Sequence, residues 1–361
     1  MKDRIRILFT MPNFDKAGSG KVVYDLINGL DKERFDIELT CNHKRGAFFK
    51  EVEKLGFPIH IYKTAINYKP YLTLPGRIWT ISRFFKNNKY DIIHSWHWSS
   101  DWTEVIAARM AGSKWLYTKK AMSWGNRHWK IRSYLAHFIV NINHEMEAYY
   151  PKKRAQKLIP LGIDTDYYSP SHFERKSSTE VFHIITVANL VPVKGIEILL
   201  EAVNMLKGND WKLTILGNKD NDYGREMEAL SQSLGLSDKV SFLGKHPDVR
   251  PFISDADLYI IPTLDQGRKE GMPMALVEAM SMAIPVLGSD ISGINYVLKD
   301  FPQWLVPAGN EQALADAISK LKQSSAEKRS DIGNELRNYC LKHFTMTQFI
   351  EAHEELYTQL A

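Results

Sequence analysis

The sequence predicts an α/β protein made of two parallel-sheet units in tandem. Three observations carry this. Strand-like and helix-like segments alternate along the whole chain, which implies right-handed crossovers and parallel strands. The alternation breaks once, at 160–180, where LGIDTDYYSPSHFERKSSTE is polar and aperiodic and reads as a linker. The two sides of that break differ in charge. Through Ser178 there are 30 Lys+Arg against 17 Asp+Glu, while the remainder has 17 against 25, within a whole-chain net charge of +5. Opposite signs fit two domains with different partners, although scattered surface charge would produce the same count. A length of 361 residues also suits two domains of about 150 residues each.

The elements follow in order. RIRILF is a strand, followed by a Gly-Ser-Gly turn and a helix over 21–30. FDIELT is a strand, a helix covers 74–85, and YDIIHS is the next strand. Residues 101–110 read as helix, KWLYT as strand, 128–137 as helix and FIVNI as strand. Beyond the break come the strand VFHIITVA, a helix from Gly195, WKLTILG, a helix from Tyr223, KVSFLG, DLYIIPT, a helix from Pro273 and IPVLGS. MTQFIEAHEELYTQL is an amphipathic terminal helix that needs a surface to dock on. No repeat of 20 to 50 residues is visible, so a solenoid is excluded.

Composition narrows the function classes. Hydrophobic residues at 44% and charged residues at 25% exclude a disordered or fibrous chain. Cys41 and Cys340 lie far apart, which fits a reducing compartment rather than a disulfide framework or zinc cluster. The first residues alternate charged and apolar and run into a strand, so no signal peptide is expected. The least charged long stretch, 271–289, contains Glu278 and two prolines, so no membrane span is expected. The basic first half calls for an anionic partner: a membrane surface, a phosphorylated acceptor or nucleic acid. No nucleic-acid-binding motif accompanies the charge. Six of nine tryptophans (Trp96, Trp98, Trp102, Trp115, Trp124, Trp129) fall within 34 residues of this half and, with the charge, suggest the membrane surface.

Ligands of open parallel sheets bind beyond the carboxyl ends of the strands, so the residues after each strand are the candidates. After the first strand, Gly18, Ser19 and Gly20 precede a helix and read equally as a tight turn or a phosphate cradle. After VFHIITVA, Lys194 stands just before a helix, where a point charge could meet a phosphate; taken alone, a solvated surface lysine fits it better. After DLYIIPT comes the most informative segment, EGMPMALVEAMSMAIPV. Pro273 suits a first helical turn, and the helix behind it is nearly all apolar, yet it contains Glu278. Glu270 precedes Glu278 by eight residues, an offset of about 80° on an ideal helix, so Glu270 belongs to the loop and Glu278 lies one turn inside. Carboxylates accept hydrogen bonds from a vicinal diol, and a helix N-terminus between them favours a diphosphate. Ribose, diphosphate and sugar hydroxyls together describe a nucleotide-sugar. A salt-bridged structural Glu278 is the alternative.

These residues resemble the family-4 retaining glycosyltransferases of GT-B fold. VANLVPVKG is similar to the donor-phosphate loop, EGMPMALVEAMSMAIPV to the family's paired-glutamate signature, LIPLGID to the segment closing the first domain, and HFTMTQFIEAHEELYTQL to the terminal helix. The resemblance implies two Rossmann-like domains facing across a cleft: 1–168 on the acceptor side, 169–341 binding the donor, and 342–361 crossing back to the first domain. It implies that Glu278 binds ribose, Glu270 the donor sugar and Lys194 the diphosphate. Gly271, Met272 and Pro273 would start the helix under sugar and phosphates, Gly18, Ser19 and Gly20 would close on the diphosphate, and Gly244 and His246 would lie near the base. Three departures stand out. Asn189 occupies the place of an arginine beside the phosphate, with Arg268 or Lys269 as replacement. Lys119 and Lys120 stand where the family often has a histidine, which leaves His97, Lys120 and His128 as acceptor-side candidates. Ala283 replaces a glycine, with a packing effect expected.

The implied reaction is same-face transfer of a hexosyl group from a nucleotide-diphosphate sugar to a hydroxyl of a glycan or lipid-linked acceptor, in cell-surface polysaccharide or lipopolysaccharide synthesis. Leaving diphosphate oxygens would help to deprotonate the acceptor, and neither metal nor cofactor is required. The expected location is cytoplasmic, on the inner membrane face if the basic segment 68–90 docks there. A GT-B nucleotide-sugar epimerase and a non-catalytic nucleotide-sugar-binding protein are the rival readings.

Overall fold

The computed structural model describes residues 4–15, 17–122, 126–174, 181–267 and 270–361. They form two compact units. Unit 1 holds the chain up to Gly162 together with Met346–Ala361, and unit 2 is Ile163–Thr345. The divisions fall a few residues before the expected 168 and after the expected 341. Ile163 N–H donates to Phe344 O at 2.8 Å and pairs with Thr345, which ties the start of the presumed linker to unit 2. The end of that segment, 175–180, lies outside the described residues.

Unit 1 is a seven-stranded parallel sheet. Its strands are β1 (Ile5–Thr10), β2 (Phe35–Cys41), β3 (Ile59–Ile61), β4 (Ile92–Ser95), β5 (Lys114–Lys119), β6 (Phe138–Asn141) and β7 (Gln156–Leu158), in the order β3-β2-β1-β4-β5-β6-β7. Helices α1 (Ala17–Gly29), α2 (Ala47–Glu53), α3 (Leu74–Asn87), α4 (Thr103–Ala111) and α5 (Arg127–Leu135) supply the crossovers. Ile7, Leu8 and Phe9 are buried on both faces, as a central parallel strand requires. β3 and β7 are three residues each, too short to carry a readable pattern. α1 begins at Ala17 rather than Lys21, so the glycine turn lies inside its first turn, and Gly18 breaks helical geometry there (φ 25°, ψ −122°).

Unit 2 is a six-stranded parallel sheet. Its strands are β8 (Phe182–Val187), β9 (Trp211–Leu216), β10 (Val240–Gly244), β11 (Leu258–Ile261), β12 (Val286–Ser289) and β13 (Leu305–Val306), in the order β10-β9-β8-β11-β12-β13. Its helices are α6 (Ile196–Asn204), α7 (Asp222–Ser233), α8 (Arg250–Ser254), α9 (Met274–Ser281), α10 (Ile294–Val297), α11 (Glu311–Gln323) and α12 (Ala326–His343). The strand order reverses between β1 and β4 in unit 1 and between β8 and β11 in unit 2. Such switch points open a crevice outside the carboxyl ends of the flanking strands.

The terminal helix α13 (Met346–Leu360) belongs to unit 1. Phe349, His353, Leu356 and Tyr357 form its buried stripe. Helix α13 packs on α1, where a Cβ on Gly29 would lie 2.1 Å from Ile350 Cδ1 and turn that side chain aside. Tyr357 OH meets His94 Nδ1 at 2.7 Å, while Asp31 N–H and Arg34 donate to Glu354 at 2.8 Å each. Each large apolar side chain so buried contributes about 1.5–3 kcal/mol.

The tryptophans divide by burial. Trp96 and Trp115 are fully buried and Trp129 nearly so, hence most of the cluster is core; Trp124 lies outside the described residues. In α3, Leu74, Ile78, Ile81 and Phe85 also pack into the core, as a crossover helix must.

Candidate active site

In unit 2, two loops meet at the β8/β11 switch point. The first, 188–195, ends in a 3₁₀ turn over Pro192–Lys194 and in Gly195, whose φ of 63° and close approach both demand glycine. A Cβ there would lie 2.2 Å from Pro262 O. Leu264 N–H donates to Val193 O at 2.8 Å, so the two loops are laced backbone to backbone. This lacing brings Lys194 Nζ onto Glu270 Oε1 as an ion pair. Burial pushes the Lys194 ammonium down to about 8, while the Glu270 carboxylate beside it acts in the opposite direction and favours the charge. The lysine is therefore a half-buried, paired cation rather than a solvated one.

Gly271, Met272 and Pro273 are buried behind Glu270. They rest on Gly293 (φ 85°), where a Cβ would lie 2.6 Å from Glu270 O and 2.9 Å from Gly271 O. Pro273 caps α9 with no side-chain hydrogen bond, so the first-turn N–H groups and helix dipole face this loop. Two buried hydroxyls, Thr263 just past β11 and Ser292 beside Gly293, have no hydrogen-bond partner among the described residues. Glu278 lies one turn inside α9, half-buried. Tyr168 hydrogen-bonds to it, and burial together with that carboxylate drives the phenol pKa far up. Tyr168 is itself fixed: its carbonyl accepts from Ser281 Oγ at 2.7 Å and Arg337 Nη1 at 3.2 Å. The sequence offers no signal for this partner beyond an aromatic pair in the linker.

The remaining donor-side candidates are less concentrated. Asn189 is exposed on the lysine loop. Arg268 and Lys269 lie outside the described residues. Gly244 ends the edge strand β10 with φ 77°, and His246 is exposed, its Nε2 meeting Leu243 O at 3.2 Å and its ring lying on Phe252. Ala283 has a φ of 56°, so the glycine it replaces would relieve the backbone, a conformational effect rather than the expected packing one.

In unit 1, the loops after β1 and β4 flank the other switch point. Gly18 is exposed, Ser19 half-buried, and Gly20 packs against Phe48 and Phe14. His97 is buried, 3.4 Å from Thr64 Oγ1 and 3.8 Å from Glu104 Oε1. Burial holds its imidazole well below the ordinary value, with Glu104 opposing, so it is neutral near pH 7. Lys120 Nζ donates to Trp96 O at 2.5 Å. His128 accepts from Trp102 Nε1 at 3.0 Å, and Tyr68 stacks on both rings. Beneath these lie Arg132, Glu104 and Asp101, which the sequence reading passed over although Glu104 is the one acid in an otherwise apolar helix face. Among the described residues no three His, Cys, Asp or Glu converge as metal ligands.

Two family models match this chain. Glycosyltransferase Family 4 matches residues 17–167, and Glycosyl transferases group 1 matches 170–339. The chain belongs to the family-4 glycosyltransferases. An amylovoran biosynthesis glycosyltransferase of Erwinia amylovora is 32% identical over 174 residues, 46% of this chain and 42% of that one. A putative colanic acid biosynthesis glycosyltransferase of Escherichia coli K12 is 31% identical over 179 residues, 48% and 43% of the two chains. The chain thus spans less than half the length of these relatives. A capsular polysaccharide biosynthesis glycosyltransferase of Staphylococcus aureus aligns over 89% of this chain and 93% of its own at 22% identity. Among solved structures, a Rickettsia africae glycosyltransferase superposes with a TM-score of 0.88 over 99% of both chains at 17% identity. Anabaena HepE in complex with UDP-glucose gives 0.78 over 98% and 99% at 18%. The architecture is GT-B, with two Rossmann-like parallel-sheet units in this family's order.

Proposed function

We propose that this chain is a retaining glycosyltransferase that moves a hexosyl group from a nucleotide-diphosphate sugar to a hydroxyl of a glycan or lipid-linked acceptor, in the assembly of a cell-surface polysaccharide or lipopolysaccharide. The observation that carries the reading is the mouth of α9: a half-buried lysine paired with Glu270, a helix N-terminus with no side-chain cap, and Glu278 one turn behind. In this reading Lys194 and the N-terminus of α9 take the charge that builds on the leaving diphosphate, Glu270 holds the sugar and Glu278 the ribose diol. A leaving-group oxygen takes the acceptor proton on the same face, so retention needs no enzymic nucleophile, and no metal is called for. Relatives named for amylovoran, colanic acid and capsule support a polysaccharide acceptor. The UDP-glucose complex of HepE makes UDP the first nucleotide to try.

The test is a melting-temperature screen with UDP-, GDP- and ADP-sugars, followed by assay of nucleotide diphosphate and sugar release. A ligand at 100 times its Kd adds about 2.7 kcal/mol of stability. A nucleotide-sugar that binds and is turned over, with the first-formed sugar keeping the donor's anomeric configuration, is the expected result. Binding without turnover favours the non-catalytic reading, and an altered sugar still attached to nucleotide favours the epimerase.

The acceptor belongs, in the same reading, to an anionic membrane surface met by unit 1. Residues 65–144 contain 12 Lys+Arg and three Asp+Glu; Asp101 and Glu104 are buried, as are Lys119 and Arg132, which leaves ten basic residues against Asp91. Leu72 and Trp79 stay exposed along α3 and its lead-in, with the Arg83 guanidinium 4.8 Å over the Trp79 ring. Each basic side chain near such a surface adds about 1 kcal/mol. Salt-sensitive cosedimentation with anionic but not neutral vesicles is expected; no attachment at low salt refutes it.

A further inference from the structure

The loop from β4 to α4 carries a feature that donor chemistry does not use. Trp98 is 50% exposed, whereas its neighbours Trp96 and Trp115 are fully buried. Two cations fix the loop that presents it. Arg132, fully buried, donates to Ser99 O at 2.7 Å, Asp101 O at 3.2 Å, His97 O at 3.4 Å and Ser95 Oγ at 3.2 Å. Its guanidinium lies 4.9–5.5 Å from the ring centres of Trp115, Tyr117 and Trp129, with the buried Glu104 carboxylate balancing its charge. Lys120, bonded to Trp96 O, has its ammonium 5.5 Å from the centre of the Trp98 ring. Burying a guanidinium costs several kcal/mol, which an ordinary surface loop does not require. Here it orders the backbone on both sides of a single half-open indole. The loop also flanks the β1/β4 switch point, where a ligand of this sheet is expected.

We infer that Trp98 is the stacking platform for a pyranose ring of the acceptor, and so a residue that sets acceptor specificity. A pyranose has an apolar face of C–H groups bordered by hydroxyls. A rigid indole with one open face matches that face with little conformational entropy to lose. Lys120 against the ring holds its orientation, and Ser99 and Ser100, next along the loop, offer hydroxyls to the sugar's hydroxyl rim. This inference rests on the glycosyltransferase reading, since it assigns the sugar to the acceptor.

The test is saturation-transfer NMR on the full chain with methyl α- and β-pyranosides of glucose, galactose, mannose and N-acetylglucosamine. At least one glycoside is expected to show transfer to its ring protons. In Trp98→Ala the transfer should fall at least fivefold, and in Trp98→Phe at least a third should remain, with both variants melting within about 3 °C of the parent. No transfer to any glycoside, or transfer unchanged in Trp98→Ala, overturns the inference. So does loss of vesicle attachment in Trp98→Ala with glycoside transfer intact, which would make the indole a lipid contact. UDP, GDP and ADP binding is measured separately. Nucleotide binding without glycoside binding defeats the platform alone, and glycoside binding without any nucleotide binding defeats the transferase reading alone.

Discussion

Lys194 should couple nucleotide binding to proton uptake. Partial burial pushes its ammonium down to about 8 in the free protein. At pH 8.5 only about a quarter of the molecules then carry the charge. A docked diphosphate places further negative charge beside it and restores the proton, so binding should take up about 0.7 proton at pH 8.5 and about 0.1 at pH 7. The terminal phosphate, with a second pKa of about 6, is already ionised at pH 8.5 and contributes nothing there. The same linkage lowers affinity about 25-fold between pH 7.5 and 9.5. The assay is calorimetric titration of UDP, or of whichever nucleotide diphosphate binds, in buffers of different ionisation enthalpy. Lys194→Met should abolish both the uptake and the pH dependence. Glu270→Gln removes the carboxylate that favours the charged lysine, so the loss of affinity should begin at lower pH. Uptake below about 0.2 proton at pH 8.5, or the same pH dependence in Lys194→Met, would refute the reasoning.

Three further outcomes follow from the same geometry. Tyr168→Phe removes the hydroxyl that holds Glu278, so nucleotide affinity should fall several-fold, and combining it with Glu278→Gln should add little; additive losses in a double-mutant cycle would show that the tyrosine acts elsewhere. Ala283→Gly relieves a positive φ and should stabilise the fold by about 0.5–1 kcal/mol in denaturant titration, with no change in nucleotide binding. Asp101 is raised to about 6 by burial, despite the opposing hydrogen bonds from Thr103. A carboxyl whose folded pKa lies above its unfolded one loses stability as pH rises through the window from about 4 to 6. Asp101→Asn should therefore flatten a decline of about 3 kcal/mol across that window; an unchanged slope would contradict the assignment.

What could be read from the sequence was whatever rests on period and local chemistry. The strands of four or more residues along the sheet centres show as apolar runs, and the Pro273 helix start and its internal Glu278 stand out against an apolar background. The three-residue strands β3 and β7 are held by their neighbours rather than by pattern. The Lys194–Glu270 pair joins residues 76 positions apart, and Tyr168 reaches Glu278 across 110, so neither contact has a local signal. Tryptophan density suggested a surface, but indoles at Trp96 and Trp115 fill the core around a buried arginine, and composition alone does not separate these cases. Ala283 looked like a packing change because its backbone angle is set by the turn after α9 and not by its own chemistry.

The central claim is that Glu278 recognises the ribose diol of a nucleotide diphosphate at the mouth of α9. Its most direct test is calorimetric titration of the ribonucleotide diphosphate and its 2′-deoxy form into the parent chain and into Glu278→Gln. A charge-assisted hydrogen bond contributes about 1.5–3 kcal/mol, so the parent should bind the ribonucleotide roughly 10- to 100-fold more tightly than the variant does. The deoxy penalty should be present in the parent and nearly absent in Glu278→Gln. Equal affinity of the two chains, or a deoxy penalty that persists in the variant, would contradict the account.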